Sequence, residues 1–322
     1  MSNSSELGET DLYDVVIVGG GPAGLSAALM LGRARRRVLV IDAGAPRNAP
    51  AAQMHGFPSR DGMAPTDFLR SVREQLSAYD VSMTTGRVHA ASRSADGFLL
   101  SLANGDHVNA RRLLACTGIV DVLPDVAGLR ECWGRDVVHC PYCHGWEHRN
   151  RRIGVLATGA MSIHQALLFR QWTDHLTLLL HTGPPPSGEQ AEELTARRIP
   201  VVRGTVTRVE TVGGRLSGVR LATGQHIDLD ALAVAPIAAP RSDLLRGLGL
   251  HPRPHPSGMG EHIPADETGR TEIDGVWVAG NLTNPALNVL GSANAGAIAA
   301  GAINADLITQ ETAQAVRAAR SA

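Results

Sequence analysis

Short apolar runs ending in glycine turns organise this chain, and the arrangement occurs twice. Residues 14–18 (Asp-Val-Val-Ile-Val) are almost unbroken in apolar character and read as a parallel strand buried on both faces. Gly19-Gly20-Gly21-Pro22-Ala23-Gly24 follows, then an Ala/Leu-rich helix to about Arg36 and a second strand, Val38–Asp42. Gly44 to Pro65 is irregular, proline-containing and long enough to expect a functional role. A helix is predicted from about Thr66 to Tyr79. Turn signals at Ala95-Asp96-Gly97 and Asn104-Gly105-Asp106 then space short strands as a β-meander. The segment closes on Arg112-Leu113-Leu114-Ala115-Cys116-Thr117-Gly118, a strand entering a glycine turn, with Cys116 expected in the core.

The order then repeats. Arg152–Leu156 is a strand, Ala157-Thr158-Gly159-Ala160-Met161-Ser162 takes the turn position, a helix runs to about Trp172, and His175–Leu180 is the next strand. Meander turns follow at Gly213-Gly214 and Thr223-Gly224, then the strand Leu232–Ala235. Pro240 to Pro264 has no periodicity, and its histidines are expected at the surface. Gly275–Asn281 is a buried strand ending in a turn. An Ala/Gly-rich helix is predicted from Asn288-Val289 to Leu307, with a polar or fraying tail after Gln310. The fold class is α/β: two Rossmann-like three-layer nucleotide-binding domains with β-meanders. The expected boundaries are 1–120 plus 250–322 for the first domain and 121–249 for the central one.

The first copy is a complete dinucleotide-binding βαβ unit. Gly19 permits the tight turn, Gly21 lets backbone approach a pyrophosphate, and Gly24 lets helix pack on strand. Pro22 and Ala23 open the helix, whose N-terminal N–H groups face the phosphates. Asp42, at the end of the second strand, is placed for ribose hydroxyls. In the second copy Ala157 replaces the first glycine and Ser162 the third. A Cβ at the first position is expected to crowd the pyrophosphate. Thr182-Gly183-Pro184-Pro185-Pro186 stands where arginines for a 2′-phosphate are needed, so this site reads as having lost nicotinamide binding.

Between the copies lies His139-Cys140-Pro141-Tyr142-Cys143-His144-Gly145-Trp146-Glu147. Two cysteines at this spacing open and close a small disulfide ring and exchange with other thiols. Imidazole on either side can move a thiol proton near neutral pH. A zinc half-site needs a second Cys or His pair at defined spacing, and none is evident. Cys132 has no partner at redox spacing and receives no role.

Composition narrows the classes. With 322 residues, two cores are affordable; 43% hydrophobic and 19% charged residues describe an ordinary soluble chain. A net charge of −1 gives no pull toward nucleic acid or anionic membrane. All 30 basic residues are arginine, which excludes Schiff-base chemistry on a lysine. Met1 to Thr10 is polar and acidic, unlike a targeting peptide, and no apolar run reaches the roughly 18 residues of a membrane helix. The expected location is the cytoplasm.

With these motifs in place, the chain resembles the low-molecular-weight thioredoxin reductase family. The likeness rests on Gly19–Gly24, Ala115-Cys116-Thr117-Gly118, the C-x-x-C and Val278-Ala279-Gly280-Asn281. The resemblance implies that the first copy and the C-terminal segment bind FAD, through Gly19, Gly21, Pro22, Ala23, Gly24, Asp42, Thr117, Gly118, Gly280, Asn281 and Val289. Asn48 is a candidate to orient a histidine or touch the flavin. Two departures stand out: His144 replaces an acidic residue after the second cysteine, and the NADPH motif is degraded. Both resemble the dithiol oxidases that make the disulfides of gliotoxin- and holomycin-type natural products, as does the run from Asp42 through Arg47-Asn48-Ala49 to Met54-His55-Gly56. That likeness implies a homodimer, a small-molecule dithiol substrate and O2 as acceptor. Cys140 takes the exchange role, Cys143 the flavin-proximal role, and His139 or His144 the proton. The competing expectations are an NADPH-dependent disulfide reductase and a flavin-binding redox sensor without turnover.

Overall fold

A computed structural model describes residues 12–322; the polar start from Met1 to Thr10 lies outside the described residues. The chain forms two compact units. The first runs up to Arg47 and resumes over Thr66–Val120 and Ala238–Ala322; the second comprises Asn48–Pro65 and Asp121–Ile237. The expected boundaries differ from these in two places. Residues 238–249 fall in the first unit, because Leu244 and Leu245 join its core. The irregular loop Asn48–Pro65 falls in the second.

In the first unit the parallel strands run in the order Val81–Thr85, Val38–Asp42, Leu12–Val18, His107–Ala115. The last of these pairs antiparallel with Gly97–Leu102 through its first half and parallel with Val276–Val278 through its second. Continuous β-branched and leucine runs suit strands covered on both faces. The register puts Val18 beside Ile41 and Ala115, with Val278 beside Ala115. All four strands therefore end at one edge, where ligands of open parallel sheets bind. Two helices, Pro22–Arg33 and Val289–Ser321, pack on this sheet. Gly296 permits their contact, since a Cβ there would lie 1.9 Å from the Ala23 carbonyl oxygen.

The C-terminal helix extends the expected element well beyond Leu307, unbroken to Ser321. Its distal half is tethered by charge: Arg36 and Arg111 both meet Glu311, and Arg112 meets Asp306. Sequence periodicity misses this because the anchoring partners lie some 200 or more positions away.

The second unit carries a five-stranded parallel sheet in the order Val201–Arg203, Leu176–Leu180, Ile153–Ala157, Ala231–Val234, Val137–Val138. A three-stranded antiparallel meander, Val206–Val212, Arg215–Leu221 and His226–Asp228, accompanies it. The C-x-x-C follows Val138 after His139 alone, leaving the sheet at the edge where the second nucleotide turn leaves Ala157. Among the described residues no helix is long and apolar enough to cross a membrane.

Candidate redox centre and cofactor cradle

Cys140 is extended (φ −104°, ψ 120°) and precedes a four-residue helix, Pro141–His144. Proline at the first helical position is already set for helical φ and lacks an N–H to satisfy. The amides of Cys143 and His144 both donate to the Cys140 carbonyl, folding the motif so that the two Sγ atoms stand 2.7 Å apart. A small side-chain adjustment is enough to close or open an S–S bond. Gly145 is required here, because a Cβ would lie 2.5 Å from the Pro141 oxygen and 2.8 Å from the Trp172 ring. Tyr142 packs edge-on against Trp172 at 5.7 Å between centroids.

The histidines differ in state. His144 has both ring nitrogens buried without a hydrogen-bond partner. Burial, more than any neighbouring charge, holds its pKa below the ordinary value, while Glu147 pulls the other way. It is a neutral imidazole directly after Cys143, able to accept a proton. His148 is also buried and lowered by burial, but its Nε2 donates to the Arg135 carbonyl at 3.0 Å, which fixes it as a structural group. The carbonyl of His139 accepts from Gln165 Nε2, tying the motif to the helix Met161–Phe169.

Sequence reasoning missed the acid–base cluster beside the motif. His55, on the irregular loop, places Nε2 3.4 Å from Glu147 Oε1 and Nδ1 3.3 Å from Asp61 Oδ2. The available signal was the histidine within an unusually long loop, but pairing it with Glu147 needs the fold. Asn48 sits on the same loop, where its carbonyl accepts from the Ala51 amide.

In the first unit the glycine turn is an open cradle. Gly19 holds φ +111°, and a Cβ there would lie 2.4 Å from the Cys116 oxygen; a Cβ on Gly24 would lie 1.8 Å from the Gly19 oxygen. Neither position tolerates a side chain. Gly21, by contrast, has nothing within 4 Å of its Cβ position and caps the helix without any side chain. The open space and the uncapped helix N-terminus fit the pyrophosphate of FAD. Asp42 accepts from the Gly20 amide at 3.0 Å and from Arg73 at 2.9 Å, leaving about two of its four acceptor sites for ribose hydroxyls. Thr117 Oγ1 donates to the Arg241 carbonyl, and the Gly118 carbonyl accepts from the Arg241 amide. Asn281 donates through Nδ2 toward the carbonyls of Asn284, Pro285 and Leu287 while its Oδ1 accepts from Arg47. Asparagine suits this place because a carboxylate would face three carbonyl oxygens. The loop it fastens leads to Val289, the first residue of the C-terminal helix, which Asn288 caps.

The second turn is built differently. Ser162 is 1% exposed, and its Oγ accepts from the Thr158 and Gly159 amides at 3.1 and 3.4 Å. The serine hydroxyl thus takes the backbone donors that a pyrophosphate needs. At the first position Ala157 lies against Gly183, while Gly159, like Gly21, has nothing within 4 Å of its Cβ position. At the end of the next strand, His181 Nδ1 accepts from the Val206 amide, and burial lowers its pKa, so it is neutral and supplies no charge for a 2′-phosphate.

Comparison with known proteins agrees with this architecture. Residues 13–320 match the pyridine nucleotide-disulphide oxidoreductase family. Thioredoxin reductase tcpT of Claviceps purpurea (strain 20.1) is 34% identical over 320 residues, spanning 94% of this chain and 98% of its own. The crystal structure of HlmI superposes with a TM-score of 0.91 at 41% identity, covering 98% of each chain. An oxidoreductase from Agrobacterium tumefaciens gives 0.87 at 36%, covering 93% of this chain and 99% of the other. Chain-long identity, the shared fold and a cradle shaped for the cofactor converge, and the chain therefore belongs to the pyridine nucleotide-disulphide oxidoreductase family, as a thioredoxin reductase-like enzyme of sulfur chemistry that uses FAD.

Proposed function

We propose that the protein oxidises a small-molecule dithiol to its intramolecular disulfide, with O2 as final acceptor and H2O2 as product. A substrate thiolate attacks Cys140 Sγ of the enzyme disulfide; the Cys140–Cys143 bond breaks and Cys143 leaves as thiolate. The second substrate thiol then attacks the mixed disulfide, forming the product S–S bond and releasing Cys140. Two electrons and the thiol protons are thereby left with the enzyme. Bound FAD supplies the two-electron acceptor for the reduced pair. His144 serves as the base, since it is neutral, buried and adjacent to Cys143; His139 is the second candidate.

The observation that carries this reading is the Ser162 hydroxyl seated in the second nucleotide turn. With those two amides engaged by Ser162, a pyrophosphate finds fewer donors there, which favours electrons arriving through sulfur. A cytoplasmic homodimer acting in natural-product biosynthesis or self-protection completes the proposal. The naming of relatives such as tcpT as thioredoxin reductases favours a second reading, an NADPH-dependent disulfide reductase.

One experiment separates the two. The wild-type holoenzyme is expected to consume oxygen with dithiothreitol and no NADPH, and Cys143→Ser to lose at least about a hundredfold of that rate. Rapid anaerobic bleaching of the flavin by NADPH, without dithiol turnover, selects the reductase instead.

A further inference from the structure

We propose that Glu147 and His55 form the outward limb of a proton path from His144, with Asp61 at its solvent end. The direction of flow and the step from His144 to Glu147 rest on the dithiol-oxidation reading above; the Glu147–His55–Asp61 contacts rest on geometry. Glu147 lies three residues after His144, in the turn that follows the helix Pro141–His144, and the His144 ring nitrogens are unpaired at rest. Its Oε1 stands 3.4 Å from His55 Nε2, and the other face of that ring meets Asp61 at 3.3 Å. An imidazole between two carboxylates can take a proton on one nitrogen and release one from the other. Side-chain exposure is 19% at His55 and 67% at Asp61, so the far end is in water. The Gly56 amide donates to Asp61 Oδ1 at 2.8 Å and fixes the carboxylate under the ring.

His148, the other buried imidazole near His144, spends its Nε2 proton on the Arg135 carbonyl. The titratable groups facing His144 are Glu147, His148 and His55 together with the sulfur pair; those facing His55 are Glu147, Asp61 and His144. The path also gives the irregular loop a purpose: it delivers His55 to the redox motif, and Pro50 of the same loop seats against Gly134.

During exchange the substrate S–H bond breaks as the mixed disulfide forms and the electron pair settles on Cys143. The proton passes to His144, then to the Glu147 carboxylate, then to His55 at Nε2, while the Nδ1 proton leaves through Asp61 to water. Two such transfers accompany each dithiol, and an equal number of protons is taken back from water when O2 is reduced to H2O2. Glu147 and His55 are relay residues in this path, acting through His144.

The test uses holoenzyme variants Glu147→Gln, Glu147→Asp, His55→Gln and His55→Ala, each checked for flavin content. Dithiothreitol-driven oxygen uptake is expected to fall about tenfold or more in Glu147→Gln and His55→Ala with KM unchanged, and to recover in part in Glu147→Asp. Added imidazole is expected to restore His55→Ala. The second readout is the pH dependence of iodoacetamide alkylation of the reduced protein. Loss of the Glu147 charge weakens protonated His144 as a thiolate partner, so the alkylation midpoint is expected to rise by on the order of half a pH unit in Glu147→Gln. Wild-type turnover and an unmoved midpoint in both variants overturn the path, as does a His55→Ala defect that imidazole leaves untouched. If the wild-type enzyme consumes no oxygen with dithiothreitol, the proposed function fails by itself, and the alkylation midpoint alone decides the path.

Discussion

Single atoms separate the two nucleotide turns of this protein. Gly24 has no room for a methyl group, whereas Gly21 looks into open space. Alanine at these positions is therefore expected to act in two distinct ways. Gly24→Ala must push helix from strand, at a cost of about 1–3 kcal/mol. Gly21→Ala is expected to keep its thermal midpoint and yet purify with less FAD, because its Cβ projects into the cradle rather than the core. Flavin absorbance per protein, read beside the melting temperature, checks both. If Gly21→Ala retains full flavin, the cradle is misassigned. Ser162 supplies the contrasting case, since one hydroxyl replaces an external anion as partner of two backbone N–H groups. A buried donor left without an acceptor is costly, so the fold supplies its own.

At the scale of elements, the C-terminal helix shows how a weakly patterned segment is held. Its first half packs by small residues against Pro22–Arg33, and its second half is fastened by Arg36, Arg111 and Arg112. The two guanidinium groups beside Glu311 lower its pKa from the ordinary 4.5 to about 2. A depressed carboxylate pKa stabilises the folded state above the unfolded value, and that contribution is lost as pH falls from about 4.5 to about 2. Glu311 is 39% exposed, so the effect is modest and screened by salt. Glu311→Gln is expected to lower the melting temperature at pH 7 in low salt and to flatten its fall between pH 4.5 and 2. An unchanged acid profile would remove the network from the account of the helix.

At the scale of the whole molecule, partly or fully desolvated imidazoles are expected to make the second unit the more sensitive to mild acid, with His255 the single counterpart in the first among the described residues. His144, His148 and His181 all lie there, and burial lowers the pKa of each below 6.5. The unfolded chain then binds more protons than the folded one between the lowered values and 6.5. Stability in that window rises with pH and falls as pH drops below 6.5. Hydrogen-exchange protection of the strands Ile153–Ala157 and Leu176–Leu180 is expected to fall between pH 7 and pH 5. Protection of Leu12–Val18 and Val38–Asp42 is expected to change less over the same range. Equal losses in both units would sink the assignment of acid sensitivity to these histidines.

Much of this protein is determined by local sequence. Apolar runs, glycine turns and helix spacing specify two parallel-sheet units, because covered strands need continuous hydrophobicity and a phosphate turn needs residues without Cβ. The Cys140–Cys143 pair is legible for the same reason: its geometry is closed within four residues. Tertiary structure alone decided what fills the second turn, since a serine hydroxyl aimed at two amides is a matter of direction rather than composition. It alone brought His55 and Asp61 to Glu147, across some ninety positions of chain that no periodicity links. Local chemistry is written in adjacent letters, whereas proton partners and anchoring ion pairs depend on which distant segments the packed core brings within a few ångströms.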